Sequence, residues 1–179
     1  MPELALPTIA AHASFLAAMA EFRAEGRGET GDFSSIGCDL RVLGATWHEP
    51  AVFASYVDEL CAARLEATPR LAGWVPCTTW WWLDGGEFLG RIALRHRLND
   101  TLLASGGHIG YDVRPSARRR GHATAMLRGV LAEAAALGIE RALLTCDDDN
   151  VASRRVIEAC GGALADQRAY RLRYWIATR

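Results

Sequence analysis

The sequence predicts one α/β domain, residues 1–179, in which helices flank a central mixed sheet. The chain has 179 residues, 50% of them hydrophobic and 23% charged, which is typical of a soluble globular domain. From residue 73 onward, short apolar runs with strand character alternate with longer runs at helical spacing. Two strand–helix pairs follow one another in the C-terminal half, a pattern that favours a sheet with two parallel strands at its centre.

The first 70 residues are expected to contain two helices. Residues 9–25 and 49–65 repeat apolar side chains every three or four positions, and Pro50 is a residue type that favours the first turn of a helix. A short strand is expected over 3–8. The glycine-rich stretch 26–46 is expected to be a surface loop.

The remaining residues predict the sheet and two more helices. The expected strands are 77–83, 88–98, 107–113, 141–146 and 170–176, with a hairpin turn at 84–87 and a loop at 99–107. The expected helices are 121–137 and 151–160. The three tryptophans Trp80, Trp81 and Trp82 alternate across the first of these strands, and they suit either the core or the wall of a substrate pocket.

Composition excludes several classes of function. The formal net charge is -1, so no global positive field favours nucleic acid as a partner. Five cysteines stand without a C-x-x-C pair, and the aspartates 147–149 lack the spacing of a calcium loop, so no metal site or disulfide framework is expected. Neither a signal pattern nor an apolar run long enough to cross a membrane is present, and a cytoplasmic protein is expected.

The segment 113–124 carries the strongest functional signal. An apolar strand runs into a turn at Pro115, and three arginines with Gly121 then open an amphipathic helix. A helix start presents unpaired amides and the positive end of the helix dipole, and this combination binds phosphate groups. Gly121 lets a phosphate approach these amides closely because it has no side chain. All 20 basic residues are arginines, so arginine has to supply any charged phosphate contact.

Two motifs in register resemble the GNAT superfamily of N-acetyltransferases. Arg118, Gly121 and Ala123 match the R/Q-x-x-G-x-G/A signature of that family. Asn150 and Ser153, followed by two glycines at 161–162, are similar to the family's segment after the next strand. The stretches 90–99 and 106–116 also look like a bacterial group of predicted acetyltransferases within the family.

The resemblance implies acetyl-CoA as the acetyl donor. It places the cofactor's pyrophosphate on the amides of the arginine-rich loop and its pantetheine arm along the strand that ends at Val113. The amide of Val113, or that of Asp112, then polarises the thioester carbonyl. The residues implied in cofactor binding are Val113, Arg118, Arg119, Arg120, Gly121, His122, Ala123, Thr124, Asn150 and Ser153.

The catalytic residues are less sharply defined by the sequence. His108 occupies the place of a glutamate that many family members carry, and it is either a general base or a structural histidine. Asp112 is the competing base because strand alternation puts it on the same face. Ile157 occupies the position of the tyrosine that usually acts as the acid in the family. Tyr111, Tyr170 and Tyr174 are either replacements for it or core aromatics. Of these, Tyr174 is predicted to be catalytic.

The resemblance leaves the acceptor open. A primary amine of a small molecule is the expected acceptor, and a protein amine is the alternative. Ile157 also keeps a non-catalytic acyl-CoA-binding module in view. Homodimers are common in the family, and the strand 170–176 is expected to be able to pair across such an interface.

Overall fold

The computed structural model describes residues 1–179, which form seven strands in two sheets with helices packed on both faces. The strands are β1 (Glu3–Ala5), β2 (Cys77–Asp84), β3 (Glu87–Arg95), β4 (Ile109–Val113), β5 (Arg141–Asp147), β6 (Ala163–Arg168) and β7 (Arg171–Ala177). The helices are α1 (His12–Ala24), α2 (Ser35–Val42), α3 (Pro50–Ala62), α4 (Asp100–Ala104), α5 (His122–Ala136) and α6 (Val151–Ala159). Single 3-10 turns occur at Ile9–Ala11 and Pro115–Ala117.

The strands form one four-stranded and one three-stranded sheet. The order in the first is β1-β2-β3-β4 and in the second β5-β7-β6, and all neighbouring strands are antiparallel. The predicted α/β class with flanking helices is confirmed. The strands expected as parallel neighbours, β4 and β5, lie side by side where the two sheets meet, but no ladder of hydrogen bonds joins them.

The two sheets are joined at the beginning of β4. The His108 amide donates to the Leu143 carbonyl at 2.7 Å, and the Leu143 amide donates back to Nδ1 of the His108 ring at 2.9 Å. Gly107 has a φ of +65°, and a Cβ there would overlap the Leu143 carbonyl oxygen. The close approach of the two strands therefore requires glycine at 107. Beyond this junction the edge of β4 has no strand partner on the side of β5.

Two hydrophobic cores cover the two faces of the first sheet. One lies under α5 and α6 and includes Trp82 and Ile92, and the other lies under α1, α2 and α3 and includes Trp81 and Phe88. Trp81 is completely buried, and Trp80 packs at the border of the first core. The tryptophan run is therefore part of the core packing on both faces of β2.

Local sequence signals explain several element boundaries. Gly85 and Gly86 both have positive φ, which suits the tight hairpin turn between β2 and β3. Pro50 begins α3, where its missing amide hydrogen costs nothing. The α5 helix buries a continuous stripe of apolar residues, namely Met126, Leu127, Val130, Leu131 and Ala134.

Some elements differ from the sequence expectations. The stretch expected to be a surface loop contains α2, which Ser34 caps by accepting from the Gly37 amide at 3.1 Å. Helix α4 occupies part of the expected loop at 99–107, and β6 was not expected at all. The expected strand over 3–8 is limited to β1, and the helix expected from residue 9 begins with a 3-10 turn.

The C-terminal strand is present as β7, but the expectation that it could pair across a dimer interface was wrong. β7 lies between β5 and β6, so both of its edges already pair within the chain. A strand with two partners cannot add a third, and the edges of this sheet are β5, next to β4, and β6 on the far side.

No helix is both long and apolar enough to span a membrane.

Substitution of Gly107 by alanine is expected to destabilise the fold strongly. Gly107 and Gly161 both have positive φ, but a Cβ at Gly161 would meet open space. We expect Gly161→Ala to cost about 1 kcal/mol from backbone strain alone, and Gly107→Ala to cost at least about 1–2 kcal/mol more because of the overlap with Leu143. Urea unfolding followed by circular dichroism measures both; equal losses would show that the strand junction tolerates a side chain.

Candidate active site

The loop between β4 and α5 has the geometry of an anion cradle at the start of a long helix. Gly121 is the N-cap of α5 with a φ of 82°, and no side chain caps the helix. The amides of the first turn, at His122, Ala123 and Thr124, therefore have no partner within the helix. Arg119 also adopts a left-handed conformation, with a φ of 62°, which costs a non-glycine residue about 1–2 kcal/mol. Such strain is typical of functional loops.

A cleft of about 780 Å³ extends from this loop to the start of α6. Nine of the ten residues implied in cofactor binding line it, namely Val113, Arg118, Arg119, Gly121, His122, Ala123, Thr124, Asn150 and Ser153. Arg120 is exposed and is not part of the lining. Asp112 lines the cleft, whereas His108 and Tyr174 do not.

The arginines of the loop are not equivalent. Arg118 forms two hydrogen bonds of 2.7 Å with the carboxylate of Glu25, the C-cap residue of α1. Its Nε also donates to the Val113 carbonyl at 3.2 Å. Arg118 thus fixes the loop against α1 and β4, while Arg119 and Arg155 add guanidinium groups to the cleft wall.

His122 is anchored at the first position of α5. Its Nδ1 accepts a hydrogen bond from Trp82 Nε1 at 3.0 Å. Burial, and secondarily the nearby Arg120, lower the pKa of His122, so the ring is neutral with its proton on Nε2. The Trp82 contact therefore holds the helix start against β2.

The start of α6 forms the opposite wall of the cleft. Asn150 caps the helix, because its side-chain oxygen accepts from the Ser153 amide at 3.0 Å. The Ser153 hydroxyl in turn lies 2.8 Å from the phenol oxygen of Tyr111. The second motif thus positions a helix start, and a hydrogen bond ties it to β4.

The edge of β4 that faces the gap supplies backbone groups to the cleft. The Arg114 amide donates to the Leu89 carbonyl at 2.9 Å, so Arg114 belongs to the set of residues whose backbone faces β3. Asp112 shares that direction because alternate residues of an antiparallel strand face the same neighbour. The backbone groups of Tyr111 and Val113 consequently face the open side. Of the two amides expected to polarise a thioester, the Val113 amide has the suitable orientation.

His108 is engaged in the sheet junction. Its ring is 6% exposed, and its Nδ1 accepts from the Leu143 amide. Burial, together with Arg95, lowers the pKa of His108 to about 4. A neutral imidazole has a single lone pair, which this hydrogen bond occupies, so the other ring nitrogen carries the proton. This geometry speaks against His108 as a general base and favours the structural alternative.

Asp112 is held between two guanidinium groups. Arg27 donates to one carboxylate oxygen at 3.0 Å, and Arg91 lies 3.5 Å from the other. Arg91 also pairs with Asp39 at 2.6 Å, and Arg27 with Asp32 at 2.8 Å. Because both carboxylate oxygens already face guanidinium groups, the geometry also speaks against Asp112 as the proton acceptor. The network instead connects β4 to the segment after α1.

Tyr174 and Ile157 both lie away from the cleft. The Tyr174 hydroxyl donates to Glu158 at 3.2 Å, and its ring belongs to the core under α5 and α6. This position speaks against Tyr174 as the acid. Ile157 is completely buried in the same core, where its side chain replaces the expected tyrosine with an apolar contact. Tyr170 is 63% exposed in the turn before β7.

Several functional contacts were not found from the sequence. Arg27 and Phe22 line the cleft, although 85 residues separate Arg27 from its partner Asp112. Arg27 was not predicted as a site residue because glycines flank it, so its segment was expected to be a surface loop. The spacing of Ile36 and Leu40 after a capping serine was the signal that marked α2.

The chain belongs to the GNAT acetyltransferase family. The family model described as an acetyltransferase (GNAT) domain matches residues 39–163. The protein is therefore an acetyl-CoA-dependent N-acetyltransferase. Among curated proteins, no sequence matches this chain.

Solved structures share the fold at low sequence identity. The RimL ribosomal L7/L12 alpha-N-protein acetyltransferase in complex with coenzyme A is 15% identical with a TM-score of 0.65, and the match covers 98% of this chain and 93% of that one. The PaiA N-acetyltransferase from Thermoplasma acidophilum with coenzyme A is 9% identical with a TM-score of 0.63, covering 99% of each chain. The microcin C7 self-immunity acetyltransferase MccE, in complex with acetyl-CoA and AMP, is 12% identical with a TM-score of 0.63, covering 97% and 91%.

The buried His108 ring is expected to make stability depend on pH. Its folded-state pKa of about 4 lies below the unfolded value of about 6.5. The unfolded chain therefore takes up a proton that the folded chain does not, and stability falls as the pH drops from about 6.5 to 4. We expect His108→Ala to be less stable than wild type at pH 7 and to lose less stability between pH 7 and 5.

Urea unfolding at both pH values measures this effect. His48→Ala, which removes an exposed histidine, is the matched control. An unchanged slope in His108→Ala would contradict the assigned hydrogen bond to Leu143.

Proposed function

We propose that this protein transfers the acetyl group of acetyl-CoA directly to a primary amine of a small molecule. One observation carries the proposal: a single cleft joins the anion cradle at Gly121 to the open backbone edge of β4. The cradle suits a pyrophosphate, and the edge suits an amide-containing arm that hydrogen-bonds like a strand. No covalent enzyme intermediate is required.

The donor site is supported by charge and by backbone geometry. The Val113 amide is the proposed donor to the thioester carbonyl, because it faces the gap between β4 and β5. Hydrogen bonds aimed at a developing oxyanion are typically the largest contribution to such catalysis. Ser153 and Asn150, at the start of α6, close the other side of the cleft.

The acceptor is proposed to lose its proton without a dedicated protein base. The lone pair of His108 is occupied by Leu143, and both oxygens of Asp112 face guanidinium groups. An amine that is already neutral at working pH needs no such base, and peptide α-amines, with pKa values of about 8, meet this condition better than lysine side chains. Small compounds whose amine has a similarly low pKa are therefore favoured as acceptors.

A protein α-amine is the second candidate acceptor. RimL, which shares the fold, is an alpha-N-protein acetyltransferase, and the MccE structure contains a small nucleotide. Thiol release from acetyl-CoA, measured with a panel of small α-amines and short peptides with free N-termini, separates the two acceptor classes by kcat/KM.

Substitution of Gly121 by glutamate is expected to abolish acetyl-CoA binding. A carboxylate at this position competes with the phosphates for the helix amides and repels them. Gly138→Glu is the matched control, since Gly138 follows the other end of α5, also has a positive φ and also faces open space. Isothermal titration calorimetry should show at least a 100-fold weaker affinity for Gly121→Glu, roughly the loss of two strong contacts. Retained affinity would move the phosphate site elsewhere.

The pH dependence of kcat/KM is expected to follow the acceptor. Two acceptors whose amine pKa values differ by about two units should show inflections about two units apart, because the neutral amine is the reacting form. An inflection at the same pH with both acceptors would instead reveal a base on the protein. Acetyl-CoA is kept saturating in both series.

A further inference from the structure

The departing thiolate of CoA needs a proton donor, and the family's usual tyrosine position holds Ile157. This question rests on the proposed function, since it concerns the same cleft. Several polar groups of the cleft are already engaged within the protein: Arg118 pairs with Glu25, and Asp112 lies between two guanidinium groups. His122 accepts from Trp82 through Nδ1, and its other ring nitrogen is buried.

We propose that Tyr111 on β4 is the hydrogen-bond and proton donor to the departing thiolate. Tyr111 provides the phenol of the cleft lining, where it stands between Val113 and the start of α6. The backbone of Asp112 faces β3, so the backbone of its neighbour Tyr111 faces the gap between β4 and β5. The side chain of Tyr111 extends to Ser153 in α6. The phenol therefore lies between the two walls that would enclose the thioester.

The hydroxyl of Tyr111 is oriented by Ser153. The two oxygens are 2.8 Å apart, and the Ser153 carbonyl lies 3.4 Å from the phenol oxygen. Asn150 holds Ser153 by capping the same turn of α6. Ser153 precedes Ile157, the position of the family's usual tyrosine, by about one helical turn. The phenol of Tyr111 therefore contacts α6 one turn before that position. Ser153 is thus a positioning residue for Tyr111.

The protons balance without net consumption of Tyr111. The amine nitrogen forms a bond to the carbonyl carbon, the carbon–sulfur bond breaks, and sulfur receives the phenol proton. In the same step the phenol takes a proton from the nitrogen of the new amide, through the Ser153 hydroxyl or water, so no free tyrosinate forms. Burial raises the pKa of Tyr111, so the phenol is protonated and remains a donor throughout the working pH range.

The test measures the acidity of bound CoA, which needs no acceptor. A phenol that donates to the thiolate stabilises it, so the pKa of the CoA thiol bound to the wild type is expected to be about one pKa unit or more below that in Tyr111→Phe. Ultraviolet absorbance of the thiolate, recorded during a pH titration of the CoA complex, gives both values. Tyr174→Phe, which removes a phenol hydroxyl bound to Glu158, is expected to keep the wild-type thiol pKa.

Kinetics provide the second readout. With the best amine of the acceptor panel, kcat of Tyr111→Phe is expected to fall by about 10-fold to 100-fold, while KM for acetyl-CoA changes less than about 3-fold. Thermal unfolding checks that both variants are folded.

The outcomes separate this inference from the proposed function. If Tyr111→Phe keeps both the thiol pKa and kcat of the wild type, or if Tyr174→Phe shows the losses instead, the assignment of Tyr111 is overturned. If the wild type binds no CoA, the proposed function itself fails, and the assignment fails with it.

Discussion

The site depends on the hydrogen bonds between His108 and Leu143, where the two sheets touch. Gly107 allows this approach because any side chain there would overlap the Leu143 carbonyl. Backbone hydrogen bonding between the two sheets is confined to this point, and no ladder continues beyond it. The contact between His108 and Leu143 thus leaves the rest of this edge of β4 unpaired. The same strand continues into the Gly121 loop. His108, which the family resemblance suggests as a general base, instead joins the two sheets here.

A second constraint fixes the segment after α1 over the site. Arg27 connects Asp32 and Asp112, and Arg118 pairs with Glu25 a few residues earlier. Burial raises the pKa of Asp32, but hydrogen bonds from Ser34 and Arg27 outweigh it, so the net pKa is lowered and the carboxylate stays charged. These ion pairs tie the end of α1 and the segment after it to β4 and to the loop between β4 and α5.

The sequence predicted those parts of the molecule that are encoded locally. The apolar stripe of α5 and the Gly121 loop are contiguous signals, and nine of the ten implied cofactor residues line one cleft. The roles of His108 and Asp112 were not predictable, because they depend on partners distant in sequence, Leu143 and Arg27. β6 was missed because its residues are mostly exposed and show no apolar alternation. Local patterns specify elements, whereas protonation and pairing are properties of the assembled fold.

The central claim is that the Gly121 loop and the open edge of β4 bind one coenzyme together. Residue-resolved amide hydrogen exchange by NMR, with and without saturating CoA, tests it most directly. The account predicts slower exchange in two separate segments, 119–124 and the amides of Tyr111 and Val113, with no change along β6. Unchanged exchange at Tyr111 and Val113 in the saturated complex would contradict it.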